Sequence, residues 1–244
     1  MADARPFLRC LAALAPPDEV PGADAVPEGE DVVLQAVPRP GPSDALGRLE
    51  GELPPDEQRA AAALEHPDRR AEFTAGHWMR ARALRGRPGL QTCLSHSGGW
   101  VVLAACARGP LGVDVEPVRP RAGVERLAAR FFTPAEHACL AACAEPGRML
   151  LFYALWTAKE ARIKALPRRE GAPPRGPGIL AVLETDLERT PETTACGTVA
   201  LSVPGGMLHW FWWPRPLPGA PRLLGACLCP PATGRLRFAV PPPE

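Results

Sequence analysis

Across 244 residues this chain carries a net charge of +1, with 46% hydrophobic and 23% charged residues. That length holds one large domain or two small ones, and so balanced a charge excludes a general attraction to nucleic acid or to an anionic membrane, leaving only local anion sites. Proline (32) and glycine (23) are abundant, asparagine is missing, and of 28 basic residues only two, Lys159 and Lys164, are lysine.

Residues 1–30 are rich in proline and acid and read as partly irregular. Their apolar run, Leu8 to Ala15, is stopped by Pro16-Pro17, and no cleavage site follows. It is expected to be a helix or strand of the fold and not a signal peptide. No stretch approaches the length of a membrane span. Val32 to Val37 reads as a strand, and Asp56 to Leu64 and Arg69 to Leu84 as helices. Gly86-Arg87-Pro88-Gly89 is a turn. A compact β unit follows: extended Thr92 to His96, the turn Ser97-Gly98-Gly99, a buried-type strand from Trp100 to Ala107, and a strand from Leu111 to Glu116 ended by Pro117. Thr133-Pro134-Ala135-Glu136 combines an N-cap, a first-turn proline and a capping-box glutamate, starting a helix that ends near Ala144. A second helix runs from Arg148 to Leu166 and stops at Pro167. After a proline-rich loop come short strands at Ile179–Leu183, Thr198–Val203, Leu208–Trp213 and Leu223–Cys229. Helices plus antiparallel sheet in each half make an α+β fold, without a visible sequence repeat. The eight cysteines form no Cys-x-x-Cys, and read as buried thiols in a reducing cytoplasm.

Asp114 and Glu116 lie two apart on a strand, so their side chains leave one face while Val113 and Val115 take the other. Alone, such a pair is most simply a salt-bridged surface strand. Two carboxylates pointing the same way nevertheless repel unless a cation lies between them, and hard oxygen ligands suit Mg²⁺. Glu160 is the candidate third carboxylate. Trp156, Glu160 and Lys164 share one helical face, with Lys159 about 100° around from Glu160. Lysine holds a phosphate as a compact point charge where arginine is a planar fork. In a chain this biased towards arginine, a lysine pair flanking a glutamate therefore points to a site that needs a primary amine. An ordinary i,i+4 pair of Glu160 and Lys164 is the plainer account. Ser95-His96-Ser97-Gly98-Gly99 puts a histidine at a strand–turn junction, where it could bind an anion. Serine nucleophilic catalysis is disfavoured: Ser95 and His96 fall on opposite faces of a strand, and no Gly-x-Ser-x-Gly elbow exists.

Taken in order, Gly86-Arg87-Pro88, Leu94-Ser95-His96-Ser97, Gly112-Val113-Asp114-Val115-Glu116, Phe131-Phe132-Thr133-x-x-Glu136 and Trp156-Thr157-x-Lys159-Glu160-Ala161-x-x-Lys164 resemble the Sfp-type 4′-phosphopantetheinyl transferases over about residues 70 to 166. The stretch Arg70 to Gly76 is similar to the siderophore-associated branch. The resemblance implies a pseudo-dimer of two similar α+β halves, residues 1–109 and 110–244, with coenzyme A and Mg²⁺ in the cleft between them. It implies transfer of the phosphopantetheine arm of coenzyme A to a serine of an acyl or peptidyl carrier protein, with release of 3′,5′-ADP. By position it implies Asp114, Glu116 and Glu160 as Mg²⁺ ligands, Arg87, His96, Lys159 and Lys164 as coenzyme A contacts, and Glu160 with Lys164 as the catalytic groups. The expected protein is a cytoplasmic monomer serving secondary metabolite biosynthesis, with no nucleic-acid or membrane partner. The chain departs from the family at His77, where the family carries arginine, in a short Leu84–Arg87 segment, and at Pro167–Gly171, where a glycine-rich stretch is usual. Two rivals from other classes are a non-catalytic relative that binds coenzyme A or a carrier protein, and a metal-dependent phosphohydrolase.

Overall fold

Strands buried on both faces and two long helices packed against them organise the molecule. The structure is a computed structural model and describes residues 4–13, 19–21, 27, 31–41, 44–166, 192–193, 198–204, 206–213, 220–230 and 236–240. In chain order its elements are α1 (Arg5–Ala13), β1 (Glu19–Pro21), β2 (Val32–Pro38), α2 (Asp44–Gly51), α3 (Pro55–Ala62), α4 (Pro67–Leu84), β3 (Gln91–Ser97), β4 (Trp100–Cys106), β5 (Gly112–Pro117), α5 (Val124–Phe131), α6 (Pro134–Ala142), α7 (Gly147–Ala165), β6 (Glu192–Thr193), β7 (Val199–Val203), β8 (Gly206–Trp212), β9 (Leu223–Cys229) and β10 (Leu236–Val240). The strands form two five-stranded sheets, ordered β1-β10-β2-β4-β3 and β5-β9-β8-β7-β6. The α+β class expected from the sequence is the class observed. No helix among the described residues is long and apolar enough to cross a membrane.

Side-chain alternation assigns each strand face a neighbour. On β4, Trp100, Val102 and Ala104 enter the core between the sheets, whereas Val101 and Leu103 pack on Ala75 and Met79 of α4. On β8 and β9, Phe211, Cys227 and Cys229 face that inter-sheet core, while Trp210, Trp212, Ala226 and Leu228 pack in the core built around α7. The layers therefore run α4, first sheet, second sheet, α7. Helix α1 covers the α7 side, where the Trp212 indole N–H donates to the Leu11 carbonyl at 3.0 Å and that of Trp210 to the Ala154 carbonyl at 3.0 Å. These bonds let two large rings be buried without stranding their donors. On β5 the same alternation sends Val113 and Val115 to the inter-sheet core and turns Asp114 and Glu116 towards α7.

Local signals explain where the helices begin and end. Thr133 caps α6, its side chain accepting from the Glu136 N–H at 3.2 Å while Glu136 accepts from the Thr133 N–H at 2.9 Å. Gly112 opens β5 where it presses on α7, and a Cβ built there falls on the Ala161 carbonyl oxygen. The first sheet corrects the expectation of antiparallel sheets throughout: β10 runs parallel to both β1 and β2. The last strand returns to the N-terminal sheet, and the Pro-rich tail around it hides its Leu236-Phe238 alternation. Helices α2 and α5 also escape the sequence reading. The first contains Gly47 and Gly51, both poor helix formers, and the second starts at Gly123 with no side-chain cap. The strand expected at Ile179–Leu183 and the Pro167–Pro177 loop lie outside the described residues.

Candidate active site at the junction of the two sheets

Strand β3 is one edge of the first sheet and β5 one edge of the second. They meet through side chains and not through a backbone ladder. The Val113 N–H donates to Cys93 Sγ at 3.4 Å and the Val115 N–H to Ser95 Oγ at 3.3 Å. Edge groups that would otherwise lack partners are thereby satisfied. Helix α7 closes the third side: Lys164 Nζ donates to the Val113 carbonyl at 3.1 Å and to Asp114 Oδ1 at 2.8 Å.

Asp114 is 7% exposed. Its Oδ1 accepts from Ser95 Oγ at 2.9 Å as well as from Lys164, while its Oδ2 is buried with no hydrogen-bond partner. Ser97 Oγ donates to Glu116 Oε2 at 2.8 Å. Burial raises the Glu116 carboxyl above its ordinary range; Ser97, Arg121 and Lys164 oppose that rise and the Asp114 charge adds to it. Burial likewise raises Glu160, with Asp114 and Glu116 adding and Lys164 opposing. For Lys164 burial disfavours the ammonium, but the charge and hydrogen bond of Asp114, with smaller help from Cys93 and Glu160, outweigh it and hold the group protonated. Three carboxylates gathered about one ammonium form an anionic nest with a deficit of positive charge, and in it burial and the neighbouring acids raise the proton affinity of Glu116 and Glu160.

Asp114, Glu116, Glu160 and Lys164 are thus brought together. Among the described residues, however, no three His, Cys, Asp or Glu side chains are arranged as a metal cluster. The donors gathered here are hard carboxylate oxygens of the kind that suit Mg²⁺, and one of them, Asp114 Oδ2, is unpartnered.

The remaining residues expected at the site face elsewhere. Lys159 projects away from the trio, is 1% exposed, and ion-pairs with Glu136 Oε2 at 2.8 Å across to α6. The angular offset along α7 that separates it from Glu160 sends it into the helix–helix packing, against the Phe132 ring. His96 points to the α4 face of β3, opposite Ser95, where its Nδ1 lies 3.1 Å from Glu72 Oε2. There it lines a cavity of about 280 Å³ together with Arg69, Phe73 and His77. His77 stacks on Phe73 at 3.8 Å and approaches Glu57 at 2.9 Å. Arg87 lies in the turn after α4, exposed, with its guanidinium 3.5 Å from the Ala83 carbonyl.

Sequence reasoning missed Ser95 and Ser97 as partners of the carboxylates. Their period-two spacing matches that of Asp114 and Glu116, but nothing in the sequence says that β3 and β5 are neighbours. It also missed the second task of Glu136, visible beforehand only as a capping residue.

Residues 110–210 match the family model described as the 4′-phosphopantetheinyl transferase superfamily. Among curated proteins, the 4′-phosphopantetheinyl transferase HetI of Nostoc sp. (strain PCC 7120) is 29% identical over 192 residues, covering 68% of this chain and 77% of HetI. The 4′-phosphopantetheinyl transferase AcpT of Salmonella typhi is 33% identical over 112 residues, covering 39% of this chain and 58% of AcpT. The 4′-phosphopantetheinyl transferase Sfp of Bacillus subtilis (strain 168) is 38% identical over 71 residues, covering 29% of this chain and 30% of Sfp. The chain thus spans most of HetI but less than two thirds of AcpT and Sfp. The matched span contains β5, α6 and α7, the elements that carry the acid trio and both lysines.

Proposed function

We propose that this chain is a 4′-phosphopantetheinyl transferase, as the match of residues 110–210 to that superfamily and the similarity to HetI support, and that it transfers the 4′-phosphopantetheine arm of coenzyme A to a serine of an acyl or peptidyl carrier protein, with Mg²⁺ and with release of 3′,5′-ADP. The observation that carries the proposal is the gathering of Asp114, Glu116 and Glu160 about Lys164 at the sheet junction. In the reaction the serine oxygen bonds to the β-phosphorus of coenzyme A. The bond from that phosphorus to the oxygen bridging it to the α-phosphorus breaks, 3′,5′-ADP departs with the electron pair, and the serine proton is released. Such a transfer needs positioning and charge neutralisation more than an enzyme nucleophile.

Glu160 accepts the serine proton, its proton affinity brought closer to neutral pH by burial and by the two neighbouring acids. Lys164 stays charged and offers its N–H donors to the phosphate oxygens as negative charge shifts onto the leaving group. Asp114, Glu116 and Glu160 would hold Mg²⁺, which would supply charge neutralisation on the pyrophosphate. Glu160 has two oxygens to divide between ligation and proton transfer. The proposed halves, 1–109 and 110–244, form a cytoplasmic monomer with coenzyme A in the cleft between them, and share one strand, β10. The similarity of Arg70 to Gly76 to the siderophore-associated branch supports a carrier of secondary metabolism.

The test is intact-mass spectrometry of an apo carrier protein incubated with this protein, coenzyme A and Mg²⁺. The expected result is a gain of one phosphopantetheine group that EDTA prevents. Coenzyme A binding with no gain on any carrier type would replace the proposal with a binding module. Release of nucleotide with an unmodified carrier would replace it with a hydrolase.

A further inference from the structure

We propose that Ser95 and Ser97 are positioning residues that aim the metal-facing oxygens of Asp114 and Glu116, so that docking of the first sheet onto the second sets the cation site; this rests on the Mg²⁺ assignment above. The two serines stand on β3 with the same two-residue period as the two acids on β5, and each hydroxyl meets one carboxylate. Ser95 Oγ donates to Asp114 Oδ1 at 2.9 Å and Ser97 Oγ to Glu116 Oε2 at 2.8 Å. Hydroxyls and acids come from different sheets, so neither spacing alone creates the match.

The distribution of bonds on Asp114 carries the argument. Oδ1 receives both Ser95 and Lys164, and Oδ2 is buried with no partner. A buried carboxylate oxygen without a donor is costly unless something else satisfies it. Fixing one oxygen with two donors leaves the other aimed and unspent, as in ligating carboxylates held by hydrogen bonds from outside the metal's own ligand set. On Glu116 a single donor, Ser97, occupies Oε2. Both hydroxyls are committed to carboxylates.

The two serines differ in a way that separates positioning from folding. Ser95 Oγ also accepts the Val115 N–H at 3.3 Å, so its loss strands a buried backbone donor. Ser97 is half-buried, and among the described residues its hydroxyl bonds Glu116 alone. Ser97→Ala is therefore the cleaner probe, and Ser97→Thr restores the hydroxyl.

The experiment titrates Mn²⁺ into the full chain without coenzyme A or carrier, read by the paramagnetic relaxation of water protons, with the thermal midpoint recorded alongside. Partners of this kind typically contribute 10- to 100-fold to metal affinity. The expected result is about a tenfold or larger loss of Mn²⁺ affinity in Ser97→Ala, recovery in Ser97→Thr and an unchanged thermal midpoint. In turnover, the Mg²⁺ concentration for half-maximal rate should rise while KM for coenzyme A at saturating Mg²⁺ stays within about twofold. Wild-type Mn²⁺ affinity in Ser97→Ala would overturn the proposal while leaving the transferase reading intact. Absence of Mn²⁺ binding in the wild type would overturn both the metal assignment and this inference. Tight Mn²⁺ binding without carrier modification would sink the transferase reading and keep the clamp.

Discussion

Lys159 offers the sharpest test of the packing that positions the site. Its ammonium and the Glu136 carboxylate are each 1% exposed and 2.8 Å apart, so solvent does little to screen the pair. Removing one partner of such a pair leaves a buried charge uncompensated and costs about 3–5 kcal/mol, whereas replacing both by apolar groups is often neutral. Lys159→Met keeps an unbranched chain of similar length and deletes only the charge. Glu136 would retain the Thr133 N–H, and Arg162 still senses its charge, so the low end applies, about 3 kcal/mol. Glu136→Met should cost more, because it also forfeits the capping box, about 1 kcal/mol. The double variant should be far less destabilised than the sum, with a coupling of about 2–3 kcal/mol in urea unfolding. Lys159→Arg should also fail to be silent, because a planar fork must enter space fitted to a single ammonium beside Phe132. A Lys159→Met cost below about 1 kcal/mol, or additive single variants, would refute the buried-pair account. So would an unchanged stability joined to a tenfold rise in KM for coenzyme A, which would return Lys159 to the role of phosphate ligand.

Glu160→Gln should abolish transfer while unfolding like the wild type when Mg²⁺ is present, checked by carrier mass and by urea titration; near-normal turnover would remove Glu160 as the base. Gly112→Ala should push β5 off α7, since the new Cβ meets the Ala161 backbone, and destabilise by about 1–3 kcal/mol. Transfer should fall more than stability does, because about 1 Å of misplacement can cost 10²-fold in rate. Glu160 and His209 give opposite pH dependences of stability. Glu160 is raised above its ordinary 4.5, so its contribution is intact below that value and is lost as pH climbs through the raised one. Metal-free wild type should therefore lose stability relative to Glu160→Gln over that rise, and Mg²⁺ should erase the difference. Burial pushes His209 down from 6.5 to about 4, so its contribution is whole above 6.5 and is lost as pH falls towards 4. That loss is worth about 3 kcal/mol, and His209→Gln should flatten it; an unchanged acid limb would exclude His209 as its source.

Legibility followed the physical range of each signal. The α6 start was readable to the residue, because a capping box is spelled within four positions and both of its hydrogen bonds form as expected. Strands β4 and β9 were readable because each is an unbroken apolar run, buried throughout. The cluster of Asp114, Glu116, Glu160 and Lys164 was half readable. Period two on β5 and period 3.6 on α7 put the right groups on shared faces, but only tertiary packing turns those faces towards each other. What failed were partnerships across elements distant in sequence. Lys159 and Lys164 looked equivalent as the only lysines, yet one faces α6 and the other β5. His96 and Ser95, adjacent in sequence, serve opposite faces of β3, so a motif that spans both belongs to two environments.

Helix α7 ties the Trp-x-x-Lys-Glu-Ala-x-x-Lys spacing to its packing. Within one stretch it bonds its own backbone and meets two neighbouring elements, α6 and β5. Thr157 turns its hydroxyl to the Tyr153 carbonyl of its own helix at 2.9 Å, and Lys159 reaches Glu136 on α6. Ala161 leaves its backbone bare for Gly112 of β5, and Lys164 bonds Asp114. Each residue advances the helix by about 100°, so a one-residue insertion anywhere between Lys159 and Lys164 must break at least one of these contacts. The small residue at 161 and the glycine at 112 bring two backbones close enough for Lys164 to reach both the Val113 carbonyl and Asp114 Oδ1. A bulkier pair would lengthen that reach and uncouple the ammonium from the acids. The motif is therefore a packing solution as much as a list of reactive groups: the charges are placed by the small residues between them.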